Sequence, residues 1–273
     1  MQTYLWLSVL GLFVGVCGTL VGAGGGFILV PTLLLLYPRE KPETITSMAL
    51  AVVFFNAFSG SVAYARMGRI DYKSGLLFCS TTVPGAVVGA LTTAMLSRRV
   101  FDLSFGVLLL AVAVFLLTNR VRATPAASEE GNDEVTRFLT ERNGVSHRYT
   151  YRATYGLTIS AVVGFFSSLL GIGGGIVHVP ALIYVLNFPI HVATATSHLL
   201  LAVMSLAGTL VHILTGSFQH GVRRTAALSV GVIIGAQVGA WLSSRIHGAW
   251  IIRALGAALG LVALRLLFQA VPA

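Results

Sequence analysis

Acidic residues run out early in this chain. All nine Asp and Glu lie at or before Glu141, and none stands well inside a long apolar run. Buried acids are the usual cation ligands and proton relays of membrane pumps. Their lack argues against a cation as cargo and against a carboxylate-based proton path, and any Na⁺ site would need backbone carbonyls and hydroxyls. Charge of either sign is scarce, at 10% of residues against roughly 25% in a soluble domain. Strand-length alternation is missing and the apolar runs are too long for a barrel. The two cysteines, Cys17 and Cys79, fall inside apolar segments with no disulfide or metal-ligand pattern. No nucleophile elbow or metal-ligand spacing occurs, and Gly22-Ala-Gly-Gly-Gly26 lacks the Lys-Ser/Thr of a nucleotide phosphate loop. Neither an enzyme nor a resident cofactor or metal is expected. No basic residue precedes the first apolar segment, so no cleavable signal peptide is expected either.

What is present is hydrophobic: 56% of residues, with a mean hydropathy of +0.86. This predicts an all-α polytopic membrane protein. The net charge of +9 does not point to nucleic acid, because Lys and Arg sit mostly at segment ends, as orientation in a bilayer requires. Apolar runs occupy 4–21, 27–37, 45–65, 75–96 and 101–118, then 154–170, 176–186, 192–215, 226–243 and 249–268. Most approach the ~20 residues of a spanning helix. The runs 27–37 and 176–186 rise only about 16 Å and read as half-helices. Three parts follow: an N-terminal membrane repeat over 1–121, a linker over 122–152 and a C-terminal membrane repeat over 153–273. The linker reads as flexible and polar, with a short amphipathic helix near Val135–Leu139.

The halves share a motif. Gly22-Ala-Gly-Gly-Gly26-Phe-Ile-Leu-Val-Pro31 recurs 149 residues on as Gly171-Ile-Gly-Gly-Gly175-Ile-Val-His-Val-Pro180. Small residues also recur in order: Gly11, Gly15, Gly18 and Gly22 as Ser160, Gly164, Ser167 and Gly171, and Gly85 and Gly89 as Gly235 and Gly239. The turn Gly68-Arg-Ile-Asp71 corresponds to Gly216-Ser-Phe-Gln219. One Gly pair alone means helix packing; the whole set in order means duplication. Broken helices in matching halves point to a transporter's substrate site. Half-helices opening at Gly24, Gly25 and Gly26 and at Gly173, Gly174 and Gly175 present unpaired N–H groups and a positive dipole end, which suit an anion.

The hydroxyl pairs Thr46-Ser47 and Thr196-Ser197 occupy matching places after the half-helices, as substrate donors or helix caps. Every one of the seven histidines follows the last acid. His178 on the second half-helix and His198 on the next span are candidate titratable ligands, whereas His212 reads as interfacial. Asn56 and Gln237 read as interhelical hydrogen bonders, and Arg265 as a snorkelling residue. If each broken pair enters and leaves on one side, three crossings follow, and the halves are inverted. Loop charge then places the linker in the cytoplasm and both termini outside.

At these residues the chain resembles the sulfite exporter TauE/SafE family, also called the 4-toluene sulfonate uptake permease family. The resemblance rests on Gly22–Pro31, Gly171–Pro180, Thr196-Ser197 and Gly68-Arg-Ile-Asp71. It implies a bacterial or archaeal inner-membrane permease of about eight helices for sulfite, sulfonates and related organosulfur anions. The expectation is a secondary transporter of a small organosulfur anion, working by alternating access. Its ligands would be Gly24–Gly26, Gly173–Gly175, Ser47, Thr196, Ser197, His178 and His198. A permease for a carboxylate or thiol compound, or a non-transporting membrane scaffold, are the alternatives. Coupling to H⁺, to Na⁺ or to neither stays open, as does oligomeric state.

Overall fold

A computed structural model describes residues 2–118, 133–218, 221–245, 256, 257 and 259–264. The first part of the chain forms α1 (Gln2–Val21), α2 (Gly26–Leu36), α3 (Pro42–Met67), α4 (Tyr72–Thr93) and α5 (Arg98–Thr118). Two strands follow, β1 (Glu134–Thr140) and β2 (Ser146–Arg152). The last part forms α6 (Ala153–Leu170), α7 (Gly175–Tyr184), α8 (Ile190–Leu214) and α9 (Val222–Ser243). Seven of the helices are long and apolar enough to cross a membrane, and α2 and α7 are the two short ones. The expected run at 249–268, with Arg265, lies largely outside the described residues. Within it, Leu259 and Ala263 are buried in the same core as Phe101, Phe105 and Leu109 of α5.

Helix ends follow local chemistry. Pro42 opens α3 and Gly68 closes it at φ 72°, where a side chain would be strained. Asp71 caps α4 by accepting from the Ser74 N–H at 3.1 Å. Gly171 ends α6 at φ 71°.

Two helix pairs make the closest contacts, and glycines permit both. A Cβ at Gly235 would lie 2.3 Å from the Leu12 oxygen of α1, and one at Gly239 2.5 Å from that of Val16. Matching contacts join α4 to α6: Gly85 to the Ala161 oxygen at 2.3 Å and Gly89 to that of Phe165 at 2.1 Å. Hydroxyls repeat the pairing, Ser8 donating to the Ala227 carbonyl and Thr81 to that of Leu157, both at 2.8 Å. Each of these contacts joins one half to the other, and the glycine contacts correspond when the halves are exchanged. Between the two pairs lie α3 and α8. They run antiparallel, because the Asp71 N–H just beyond α3 donates to Thr196 near the start of α8, at 3.0 Å.

The linker departs from the expectation. Residues 134–152 form an antiparallel hairpin, with Val135 opposite Tyr151 and Leu139 opposite His147. No helix forms at Val135–Leu139, because Val, Thr, Phe and Tyr favour extended backbone and burial alternates along both strands. Val135, Arg137 and Leu139 face inward with His147, Tyr149 and Tyr151. Asn143-Gly144 turns the chain, with Gly144 at φ 88°. The hairpin is seated: Tyr149 and Tyr151 are buried with Phe78, Leu182, Leu186 and Phe188.

Candidate functional site

Both glycine motifs break their helices through the same backbone. Gly22, Gly24 and Gly25 have φ of 84°, 73° and 79°, and Gly171, Gly173 and Gly174 have 71°, 81° and 73°. The breaks touch each other. A Cβ at Gly26 would sit 2.2 Å from the Ile172 oxygen, and one at Gly175 would sit 2.3 Å from the Gly22 oxygen. Both positions therefore demand glycine for close approach rather than for φ. No side chain caps α2 or α7, so their first-turn N–H groups keep the partial positive charge of a helix start. Val53, near the middle of α3, bridges the breaks: its Cγ1 would be 3.1 Å from a Cβ at Gly24 and 2.4 Å from one at Gly173.

The predicted hydroxyls divide. Ser197 donates to the Gly22 carbonyl at 3.1 Å and so belongs to the first break. Thr196 accepts from the Asp71 N–H instead, and Ser47 turns back onto the Thr44 carbonyl at 2.8 Å. The expected match of Thr46-Ser47 with Thr196-Ser197 is corrected. Thr46 packs on Gly171 as Thr194 packs on Gly22, so Thr46 and Thr194 are the counterparts. The cause is that α7 has 10 residues where α2 has 11. In the loop that follows α7, Asn187 is the one non-glycine with positive φ (55°) among the described residues.

The histidines do not form one cluster. His178 is buried beside Ser160, 3.3 Å from its hydroxyl. His198 is fully buried elsewhere, on the face of α3 that carries Gly60. Its Nδ1 lies 3.2 Å from the Thr194 carbonyl, and its ring meets Tyr64 edge-on at 5.3 Å. Around it, Thr19 donates to the Asn56 Oδ1 at 3.1 Å and Tyr64 donates to the Thr19 carbonyl at 2.8 Å. His212 is buried inside the protein, at 2% exposure, and occupies in the second half the place of Tyr64 in the first. There Gly208 replaces Gly60, meeting Leu50 and Ser168 as Gly60 meets His198 and Thr19. Gln237 holds α9 to α3 by donating to the Ser59 carbonyl at 2.8 Å. Thr19, Tyr64 and Val53 were not singled out in the sequence; the signal was four-residue spacing, Asn56, Gly60 and Tyr64 on one face of α3.

The two ends of the molecule close differently. At the hairpin end, Arg69 and Glu141 form a buried pair at 2.8 Å, and His147 lies 2.9 Å from the other Glu141 oxygen. Asp71 accepts from Tyr149 at 2.7 Å and from the Ser74 hydroxyl; Tyr151 shares a 2.6 Å hydrogen bond with that same hydroxyl. Burial works to raise the Glu141 carboxyl. Hydrogen bonds from His147 and Arg69 and their charges outweigh it and hold the group below its ordinary value. Burial, then the charge and acceptor oxygen of Asp71, push the Tyr149 hydroxyl far up. At the other end Arg224 pairs with Glu40 at 3.0 Å and stacks 3.9 Å over the Tyr37 ring, both partly exposed. Arg98 ties the Glu40 carbonyl to Asp102. Among the described residues no group of His, Cys, Asp and Glu could hold a metal.

Comparison with known proteins gives this arrangement a context. A family model described as sulfite exporter TauE/SafE matches residues 7–266. A "Probable membrane transporter protein YunE" of Bacillus subtilis is 30% identical over 99% of both chains. A "Probable membrane transporter protein" of Xylella fastidiosa is 29% identical over 86% of this chain and 83% of its own length. MJ0441 of Methanocaldococcus jannaschii, with the same description, is 24% identical over 84% and 79%. No solved structure matches.

Proposed function

The chain belongs to the sulfite exporter TauE/SafE family, and we propose that it is a secondary transporter of a small organosulfur anion, sulfite or a sulfonate. The observation that carries this reading is the pair of uncapped half-helix N-termini meeting at Gly26 and Gly175. Converging helix starts attract an anion, and no carboxylate competes there. The sulfur oxyanion sits between Gly24–Gly26 and Gly173–Gly175 once the breaks part, with Ser197 beside the first break and His178 beside the second. Thr196 joins them when its bond to Asp71 opens. Relatives named as membrane transporters support the class.

Two inverted repeats are favoured by the paired contacts of α1 with α9 and α4 with α6, and by the antiparallel run of α3 and α8. One repeat rocking against the other then gives alternating access. The chain lies in the cytoplasmic membrane of a bacterium or archaeon. Arg66, Arg69, Lys73, Arg137, Arg142, Arg148 and Arg152 cluster at the hairpin end, which we place in the cytoplasm, with both termini outside. In that orientation the hairpin is the inner gate, joined through Asp71 and Thr196 to the start of α8.

Flux into proteoliposomes tests the reading. Sulfite and methanesulfonate should cross and acetate should compete weakly. Because Gly174 has positive φ, Gly174→Asp needs Gly174→Asn beside it as the uncharged control. Loss of flux in Asp but not in Asn supports an anion site; equal flux in both, with correct insertion, removes it.

A further inference from the structure

The cluster around Gly60 holds two buried polar atoms without partners, His198 Nε2 and Asn56 Nδ2. Both residues are 0% exposed. Leaving such groups unpaired costs about 1–3 kcal/mol each, so each requires a reason. The Thr194 carbonyl can only accept, so the neutral His198 ring carries its proton on Nδ1. Nε2 is therefore a bare lone pair. Asn56 has its oxygen occupied by the Thr19 hydroxyl, which turns a bare amide donor into the same cluster. A Cβ at Gly60 would lie 2.6 Å from the ring's Cδ2 and 3.0 Å from Nε2, so the seat exists only because that residue is glycine.

The neighbours supply no competing base. From α3 the titratable group facing the ring is Tyr64, whose hydroxyl already donates to the Thr19 carbonyl. From α1 comes Thr19 and from α9 Ser243, beside the Tyr64 hydroxyl, neither of them titratable. The charge acting on Tyr64 is Arg69. Asp71 reaches α8 through Thr196, but its carboxylate is taken by Ser74 and Tyr149. On α8 itself, Thr194 and Thr196 flank the site.

Building on the anion-transport reading above, we propose that His198 carries the coupling proton of this transporter. Nε2 binds one proton from solution at one face while the anion occupies the glycine breaks, and returns it at the other face; only an N–H bond forms and breaks. A monoanion and a proton then move together without net charge. Transmission is short. Ser197, the preceding residue, holds the Gly22 carbonyl, and Thr196 holds the Asp71 N–H, so a shift of α8 reaches both the break and the inner gate. Against Gly208 the matching place is taken by Leu50 of α3, so one such proton moves per cycle, not two.

The experiment uses the intact protein in liposomes loaded with a fluorescent pH dye and a gradient of methanesulfonate, a strong-acid anion that carries no proton itself. The wild type should move protons one-for-one with the anion. His198→Gln should abolish the proton movement and keep methanesulfonate counterflow within roughly threefold. Gly60→Ala displaces the ring while leaving every titratable group in place, and should also lose coupling. Proton movement unchanged in His198→Gln, or wild-type methanesulfonate flux with no protons, overturns the proposal while leaving the transport reading intact. Absence of wild-type flux of methanesulfonate and sulfite alike removes the transport reading, and this proposal with it.

Discussion

The two membrane halves share a backbone and differ in chemistry. At the breaks they are equivalent: the same three glycines adopt the same φ, and each break presses a first helical glycine on the other's carbonyl. One span further on they diverge. Gly60 is ringed by Thr19, Asn56, Tyr64 and His198, whereas Gly208 has Ser168, Met204, His212 and Leu50 in the matching places. The ends diverge too, one sealed by a buried pair under a hairpin and the other by partly exposed ion pairs. Symmetry is kept where main chain touches main chain and given up where side chains choose a ligand.

The sharpest way to test the equivalent part is to damage both breaks alike. Gly26→Ala and Gly175→Ala should each cut flux roughly a hundredfold, as a barrier raised by about 3 kcal/mol does, because the new Cβ meets main chain that cannot yield. Unequal losses, read by tracer uptake at matched protein levels, would show that the breaks are not interchangeable.

The ends are distinguished next. Glu141→Gln leaves Arg69 buried without its partner and should destabilise the detergent-solubilised protein by about 3–5 kcal/mol. Glu40→Gln acts on a pair whose side chains are 32% and 30% exposed and should cost less than about 1 kcal/mol. Equal shifts in thermal unfolding would contradict the difference in burial.

Within the core, Gly60→Ala should lose about 1–3 kcal/mol by overpacking against the His198 ring and forcing it aside. Gly208→Ala meets the movable tip of Leu50 and Ser168 and gains helix propensity of about 1 kcal/mol, so it should be near neutral by the same unfolding assay.

The smallest effect is pH dependence of the hairpin. Glu141 is held low, so its contribution is complete above the ordinary carboxylate range and fades as pH falls through its lowered value. Tyr149 is held high, so its contribution is complete below the ordinary tyrosine range and fades only in strong alkali. Amide exchange across 134–152 should keep constant protection through neutral pH and loosen at the acid end first.

The helical spans, the two half-helices and their glycine hinges were legible in the sequence, because membrane length and apolar runs fix helices almost without help from tertiary contacts. The hairpin was legible in principle through Asn143-Gly144 between alternating Val-Thr-Arg-Phe-Leu and His-Arg-Tyr-Thr-Tyr. Acidic composition masked it, and its seat on Phe78 and Phe188 comes from distant segments. The hydroxyl register was misaligned because a one-residue difference in half-helix length leaves no mark in composition. The burial of His212 inside the protein depends on which face of α8 meets the core, which the sequence alone did not show. Of the candidate ligands, Ser197 and His198 lie at the first break and on the Gly60 face, while Ser47 bonds within its own helix; nothing in the spacing alone separated them.

The shorter α7 has one more consequence. Removing a residue from a helix rotates everything after it by about 100°, which would have turned the polar face of α8 away from α3. The faces nevertheless correspond, Thr194 packing on Gly22 as Thr46 packs on Gly171. The loop between α7 and α8 holds Asn187 in a left-handed conformation that asparagine tolerates, its side-chain amide within 3.5 Å of the Thr150 carbonyl of the hairpin. The bend between α7 and α8 is thus tied to the hairpin as well as to the helices.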